Sequence, residues 1–262
     1  GAEQTVSLPL HGTIANCPAA RLRVRVQLRP PYELTLAGEV FDTQMFGAAY
    51  QMVSTVSTRP GSGEFTISDE VRNLSGMPAE LELLYHCNYG PPLLGEGATL
   101  VAPVEYACAR DERALEGISS WDTYGPPEAG FAEQCYFLRT HADEDGRSIV
   151  ALIDPDERLA GTIRYSTGEL PALTVWKNTA AEQDGYVTGI EPGTDYPNSR
   201  RFERSKGRVV ELPAGGTLST TLEFGVVSGA DRVSAVREEI AALREGKESN
   251  VSQTLDPEYS PG

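Results

Sequence analysis

The chain holds three histidines, His11, His86 and His141, so imidazole chemistry has to come from one of them. His86 stands in "AELELLYHCNYGPPLLGEG", at the end of an apolar run. Successive side chains of a strand point to opposite faces. That alternation puts Leu81, Leu83, Tyr85, Cys87 and Tyr89 on a core face, and Glu80, Glu82, Leu84, His86 and Asn88 on the other. An imidazole on such a polar face can donate, accept or transfer a proton near neutral pH, which suits a groove for a neutral, hydroxyl-rich ligand. The plainer alternative is a half-buried strand histidine bonded to a neighbour. The second group is Glu191 in "TGIEPGT", expected at a strand end because Pro192 and Gly193 turn the chain there. Alone, such an acid serves equally well as a turn cap. Beside a histidine on a polar sheet face it points to acid–base chemistry.

These side chains need strands to hold them, and alternation dominates the chain. "RLRVRVQLR" reads as a half-buried strand, with Leu22, Val24, Val26 and Leu28 inward and Arg21, Arg23, Arg25 and Gln27 outward. "YELTLAGEVF", "YQMVSTVSTR" and "EFTISDEVRN" follow, the last two joined at "GSG". "AELELLYHCNY", "CYFLRTHA", "SIVALIDP", "AGTIRYST" and "ALTVWKN" are further strands, and "RVVELPAGGTLSTTLEFGVV" reads as a hairpin around Pro213–Gly216. Helical spacing occurs in "ADRVSAVREEIAALREG", where Val233, Val236, Ile240 and Leu243 recur at three and four. Many short strands and one late helix predict an all-β sandwich, with a helix over 229–246 and a frayed polar tail over 247–262.

Composition narrows the function. The 262 residues, 40% of them hydrophobic, suffice for a large core. The net charge of −16 argues against a nucleic-acid partner, because a phosphate backbone is met by a basic face. No apolar run spans a bilayer and no leader pattern opens the chain, so no membrane partner and a cytoplasmic location are expected. Cys17, Cys87, Cys108 and Cys135 lie far apart without a CxxC pair, the pattern of reduced buried thiols rather than a metal or redox motif. Nucleophile-elbow and phosphate-loop motifs are absent.

The remaining candidates have bland readings beside sharper ones. His141, beside "ADEDGR", fits a hairpin turn better than a calcium loop. Trp121 and Tyr124 in "SSWDTYGPPE" either anchor a long loop or make a rim contact to the ligand. Lys177 in "TVWKN" serves equally as a solvated strand end or a site residue. Arg200, Arg201, Arg204, Lys206 and Arg208 form a basic cluster that is either salt-bridged or, following Glu191 closely, a receiver for a phosphate or sulfate on the substrate.

Five segments then occur in a telling order: "LPLHGTIAN", "ISDEVRNLSGMPAELELLYHCNYGPPLL", "AEQCYFLR", "ALIDPDERLAGTIRYSTGELPALTVWKN" and "TGIEPGTDYPN". On them the chain resembles the aldose 1-epimerase (galactose mutarotase-like) superfamily, closest to an uncharacterised aldose-1-epimerase-like branch classed as a domain of unknown function. The resemblance covers nearly the whole chain. It implies one large antiparallel β-sandwich over 1–262 with a C-terminal helix, and an isomerase that interconverts anomers of a sugar or sugar derivative. It implies Glu191 as base and His86 as acid, with neither metal nor organic cofactor, and a small carbohydrate as partner. His11, Asn88 and Glu133 would hold sugar hydroxyls, with Gln134 as the alternative register to Glu133. Trp176 or Tyr89 would stack on an apolar sugar face. A non-catalytic carbohydrate-binding protein on the same fold is the alternative, and glycoside cleavage by Glu133 with Glu191 a third reading. The pattern departs from the family in three places. Tyr85-His86-Cys87-Asn88-Tyr89 replaces the usual asparagine–histidine pair. A glutamate near Cys135 replaces an aspartate. His11 lies near the start, whereas family members carry earlier strands with a sugar-binding arginine, so N-terminal strands are expected to be missing here.

Overall fold

A computed structural model describes residues 9–45 and 47–261. The chain runs β1 (Arg21–Val26), β2 (Leu34–Thr43), β3 (Ala49–Thr58), β4 (Glu64–Asn73), β5 (Ala79–Leu81), β6 (Asn88–Tyr89), β7 (Thr99–Val101) and β8 (Val104–Ala109). It continues through α1 (Glu112–Leu115), β9 (Gln134–Thr140), β10 (Arg147–Ile153), β11 (Leu159–Ser166), β12 (Ala172–Asn178), β13 (Val187–Gly193) and α2 (Arg200–Ser205). It closes with β14 (Val210–Leu212), β15 (Thr217–Ser228), α3 (Ala230–Arg244) and β16 (Asn250–Val251). An eight-stranded sheet is ordered β1-β2-β3-β4-β15-β11-β10-β7, and a six-stranded sheet β16-β8-β9-β12-β13-β6. β14 and β5 make a two-stranded ribbon.

The two large sheets pack face to face as period-two patterning requires. Val150, Leu152, Ile163, Tyr165 and Leu222 of the first meet Tyr136, Leu138, Leu173, Val175 and Ile190 of the second. Each such side chain, fully buried, contributes roughly 1.5–3 kcal/mol. On the outer face of the eight-stranded sheet, Val233, Val236 and Ile240 of α3 pack on Ile149, Ala151, Ile153 and Ala160, the stripe its spacing predicts. The predicted helix and the predicted strands other than "AELELLYHCNY" are present, and the class is all-β with a late helix. All four cysteines are free. Among the described residues, no helix is long and apolar enough to cross a membrane.

Five expectations need correction. β1 forms as predicted, yet it is not half-buried: Leu22, Val24, Val26 and Leu28 are 70%, 72%, 54% and 85% exposed. "AELELLYHCNY" is not one strand. It pairs as β5, leaves the ladder over residues 82–87 apart from a bridge at Leu84, and pairs again as β6. Alongside that gap lies Pro192, which has no N–H to give a ladder, and the segment bonds around it through Tyr85 N to Pro192 O and Ile190 N to Cys87 O. Glu191 therefore sits inside β13, not at its end. The Pro213–Gly216 turn forms, with Gly216 N donating to Pro213 O at 2.8 Å, but β14 joins β5 while β15 joins β4 and β11, so no hairpin results.

The C-terminal tail is not frayed. Its β16 pairs with β8, Tyr259 is 7% exposed, and Ser260 Oγ donates to Ala109 O at 2.7 Å. Tyr259 stacks on Tyr106 and meets Tyr196 edge-on, so two or three buried groups dock a segment whose average composition is polar.

Candidate functional site

The outer face of the six-stranded sheet gathers the candidate residues. Register aligns Cys135, Trp176, Gly189 and Asn88 across β9, β12, β13 and β6 in one row, with Arg110 N bonded to Cys135 O at its far end. One step along, Thr174 pairs with Glu191. Two-residue periodicity puts Trp176, Thr174 and Glu191 on the same face. His86, just before β6, overhangs Glu191: its Nε2 lies 3.1 Å from Glu191 Oε1. Glu191 is 3% exposed and forms the floor, whereas the His86 side chain is 34% exposed and forms the lip.

Three neighbours frame the pair. The His11 ring is centred 5.7 Å from that of His86, and the Trp176 ring meets His86 edge-on at 5.6 Å. Trp176 Nε1 donates to Glu133 Oε2 at 2.7 Å, which fixes the indole. Glu133 in turn faces Arg110, with Nη2 to Oε1 at 3.6 Å, and Arg110 Nε donates to Asp111 at 3.0 Å. Asn88 lies beside His86 and works against the lowering of its pKa. No motif or periodicity singles out Arg110. Its position directly after the apolar strand "VEYACA" was the available sign, since a charged residue ending a central strand sits at a sheet rim.

Electrostatics push the pair in opposite directions. Burial, aided by the Glu133 carboxylate, raises Glu191 from the ordinary 4.5 to about 8. Burial, aided by the neighbouring His11, holds His86 below its ordinary 6.5. Although Glu191 Oε1 is close to the imidazole, it lies off the N–H direction and is buried without a hydrogen-bond partner. Thr174 Oγ1, on its cross-strand partner, is likewise buried and unpartnered. Among the described residues, no group of three or more His, Cys, Asp or Glu side chains is arranged to hold a metal.

Four predicted site residues are placed elsewhere. Lys177 alternates to the inner face, 5% exposed, where Nζ donates to Ser120 O and Thr123 O at 2.8 and 2.6 Å and lies over the Tyr124 ring. Its burial lowers its pKa to about 8. It is a core cation that closes the loop holding Trp121 and Tyr124, neither a solvated end nor a ligand contact. Gln134, the cross-strand partner of Lys177, shares that inner face and donates to Arg113 O at 3.0 Å, so Glu133 is the register that meets Trp176. Arg200 pairs with Glu82. Arg204 pairs with Glu80, Lys206 with Glu258, and Arg208 with Glu203, so acids already satisfy these four cations. Tyr89 packs into the main core and cannot stack on a ligand at the outer face. His141 bonds Glu248 O at 2.7 Å, away from the pair.

Gly189 shows how tightly Glu191 is folded back. A Cβ built on Gly189 would fall 2.1 Å from Glu191 Oε1. Gly189→Ala should therefore displace the carboxylate, a mobile group, rather than the backbone. The expected result is a near-native melting temperature with catalysis, where present, reduced by tenfold or more, on the order of the cost of a misplaced group. A variant with native turnover would show that this carboxylate position is not used.

Comparisons with known proteins bear on the family and the fold. A family model described as Domain of unknown function (DUF4432) matches residues 1–226. No curated protein matches the chain. Among solved structures, a "putative aldose 1-epimerase" from Klebsiella pneumoniae subsp. pneumoniae MGH 78578 is 32% identical with a TM-score of 0.91, over 93% of this chain. The chain spans 64% of that protein's length. A galactose mutarotase-like protein from Clostridium acetobutylicum is 15% identical with a TM-score of 0.56, over 80% of this chain and 67% of its own. A galactose mutarotase related enzyme from Lactobacillus acidophilus is 12% identical with a TM-score of 0.53, over 79% of this chain and 72% of its own. The fold is that of the galactose mutarotase-like sandwich.

Proposed function

The chain belongs to the DUF4432 family, and on that premise we propose that it interconverts the anomers of a sugar or sugar derivative by acid–base catalysis at His86 and Glu191. The observation that carries this reading is the 3.1 Å approach of an imidazole and a buried carboxyl whose proton affinities are pushed apart. Anomer exchange needs a base for the C1 hydroxyl proton and an acid for the ring oxygen. Both oxygens are bonded to C1, so a donor and an acceptor side by side can serve them from one direction. The pair is in direct contact rather than spread across a ring-wide gap, so the sugar lies over it, not between its members.

The proton moves as follows. One group removes the C1 hydroxyl proton while the other protonates the ring oxygen, and the C1–O bond to the ring breaks to give the open aldehyde. Rotation about C1–C2 presents the other carbonyl face. Reclosure returns both protons. The family resemblance makes Glu191 the base and His86 the acid. With no sugar bound, the electrostatics favour the reverse, with the proton on Glu191 and His86 neutral. Because each turnover in one direction is the mirror of the other, the requirement is one proton shared by the pair. In this reading Trp176, His11, Asn88 and Glu133, which surround the pair, would meet the ring face and hydroxyls of the sugar. Glu133 and Asp111 offset Arg110, so the surroundings favour a neutral sugar over a phosphorylated or sulfated one.

The pH profile tests this. Below the depressed His86 value both groups are protonated and the acceptor is lost; above about 8 Glu191 loses its proton and the donor is lost. Polarimetric or NMR measurement of anomer exchange on a panel of neutral aldoses should give a bell with its alkaline limb at about 8. A flat profile between pH 5 and 10 sinks the assignment. Sugar binding without exchange makes the protein a binding module.

A further inference from the structure

Asp111, Arg110, Glu133, Trp176 and His86 form one chain of contacts that runs from the first turn of α1 into the candidate site. Arg110 follows β8 and Glu133 precedes β9. Those strands pair through Ala109 and Tyr136, and Arg110 N donates to Cys135 O at 3.0 Å, so the two residues leave the sheet close together. Arg110 Nε donates to Asp111 Oδ2 at 3.0 Å, while Asp111 Oδ1 caps α1 by accepting from Ala114 N at 2.9 Å. That cap anchors one side of the guanidinium. On its other side, Nη2 lies 3.6 Å from Glu133 Oε1. Glu133 Oε2 accepts from Trp176 Nε1 at 2.7 Å, and the indole meets the His86 ring edge-on, with centroids 5.6 Å apart at 67°.

The plainer account makes Arg110 and Glu133 a surface ion pair, and as such it contributes little to stability: the side chains are 28% and 50% exposed. Its effect is on direction. A glutamate so exposed samples several rotamers unless something holds it. Here each carboxylate oxygen faces a different cation or donor, and the guanidinium is itself tied to the helix cap. The planar fork of arginine suits this bridging, because two of its N–H directions serve two acids at once. With its one N–H taken by Glu133, Trp176 keeps its indole over the packed cluster of Cys135, Phe137 and Ala172 and beside His86.

We propose that Arg110 is a positioning residue of this site, which acts through Glu133 to hold the Trp176 indole as a fixed wall beside His86. The consequence for turnover rests on the reading of His86 and Glu191 as the proton-sharing pair. The hold on the indole does not, and it can be measured without turnover.

The test uses the whole chain and its two tryptophans, whose indole N–H groups give two NMR signals. Trp121 packs in the main core and is the internal reference. Arg110→Met should shift the Trp176 indole signal and speed its hydrogen exchange by about tenfold, the weight of roughly one hydrogen bond, with Trp121 unchanged and a near-native melting temperature. Glu133→Gln should speed it at least as much. Adding Arg110→Met to Glu133→Gln should then change nothing further, because the link through which Arg110 acts is already gone. Arg110→Lys should recover little, since one ammonium cannot bridge Asp111 and Glu133 in the same way. In anomer exchange, Arg110→Met should raise KM by about tenfold and leave kcat within about threefold, the mark of lost positioning with the proton-transfer pair intact. An unchanged Trp176 signal in Arg110→Met overturns the proposal, and so does an equal effect of Arg110→Met with and without Glu133→Gln. The expected indole changes in a chain that shows no anomer exchange uphold the role of Arg110 and refute the catalytic reading instead.

Discussion

Glu191→Gln is expected to lower the rate of anomer exchange by about a hundred- to ten-thousand-fold, the usual worth of one positioned proton-transfer group. His86→Ala should lose a similar factor, and the double variant little more than either, since the two act as one proton-sharing unit. The same Gln substitution should stabilise the fold. Glu191 titrates at about 8 in the folded chain against an ordinary 4.5. Below about pH 4 the carboxyl is neutral in both states and contributes no difference. As pH rises from there, the unfolded chain ionises while the folded one holds its proton, so stability is lost until the folded group titrates at about 8. Above that the penalty is constant, on the order of a few kcal/mol. A neutral amide of the same shape never incurs it. Thermal melts of the two proteins should coincide near pH 4 and diverge in favour of Glu191→Gln up to about pH 8. An enzyme that keeps its rate after both substitutions refutes the proposed site. A variant that melts lower at pH 8 refutes the electrostatic account of it.

Arg208→Ala is expected to destabilise the fold by about 3–5 kcal/mol, the range for leaving one partner of a buried ion pair behind. Glu203 is fully buried and takes two hydrogen bonds from Arg208, at 2.6 and 2.9 Å, and one from Asn198 Nδ2 at 2.8 Å. The guanidinium also lies over the Tyr196, Tyr259 and Phe202 rings, at 5.4, 5.5 and 5.8 Å, so it ties α2 to the C-terminal tail. Lysine lacks both the fork and the planar face, and Arg208→Lys should recover little of the loss. Adding Glu203→Gln to Arg208→Ala should recover part of it, because no unpaired charge then remains buried. Denaturant unfolding measures all three. A loss under 1 kcal/mol for Arg208→Ala would place this pair among ordinary surface bridges. Anomer exchange, assayed well below the melting temperature, should be unaffected in rate per folded molecule.

Local pattern determined most of the architecture. Alternation is a property of the backbone, so "CYFLRTHA", "SIVALIDP", "AGTIRYST" and "ALTVWKN" read as strands and fold as β9 to β12. The three- and four-residue spacing of Val233, Val236 and Ile240 likewise specified α3 and its buried stripe. Within the candidate site, the same parity put His86 opposite to Tyr85 and Cys87, and the structure has His86 at the outer face while those two pack on the core. Parity failed where it was not followed. Lys177 and Gln134 stand one residue from Trp176 and Cys135, so a one-residue step sends them through the sheet to the inner side.

Tertiary structure alone decided the rest. Whether an apolar strand face is buried depends on a second layer, and nothing within "RLRVRVQLR" says that layer stops before β1. Ion pairing depends on which acids the fold brings near, and Glu80, Glu82 and Glu258 reach the basic cluster only through chain crossings. The raised affinity of Glu191 for its proton comes from burial under His86 and from Glu133, a neighbour 58 positions earlier in the chain that only β-sheet register brings close. Side-chain direction is written residue by residue along the backbone; desolvation and partnership belong to distances between segments, which the chain acquires on folding.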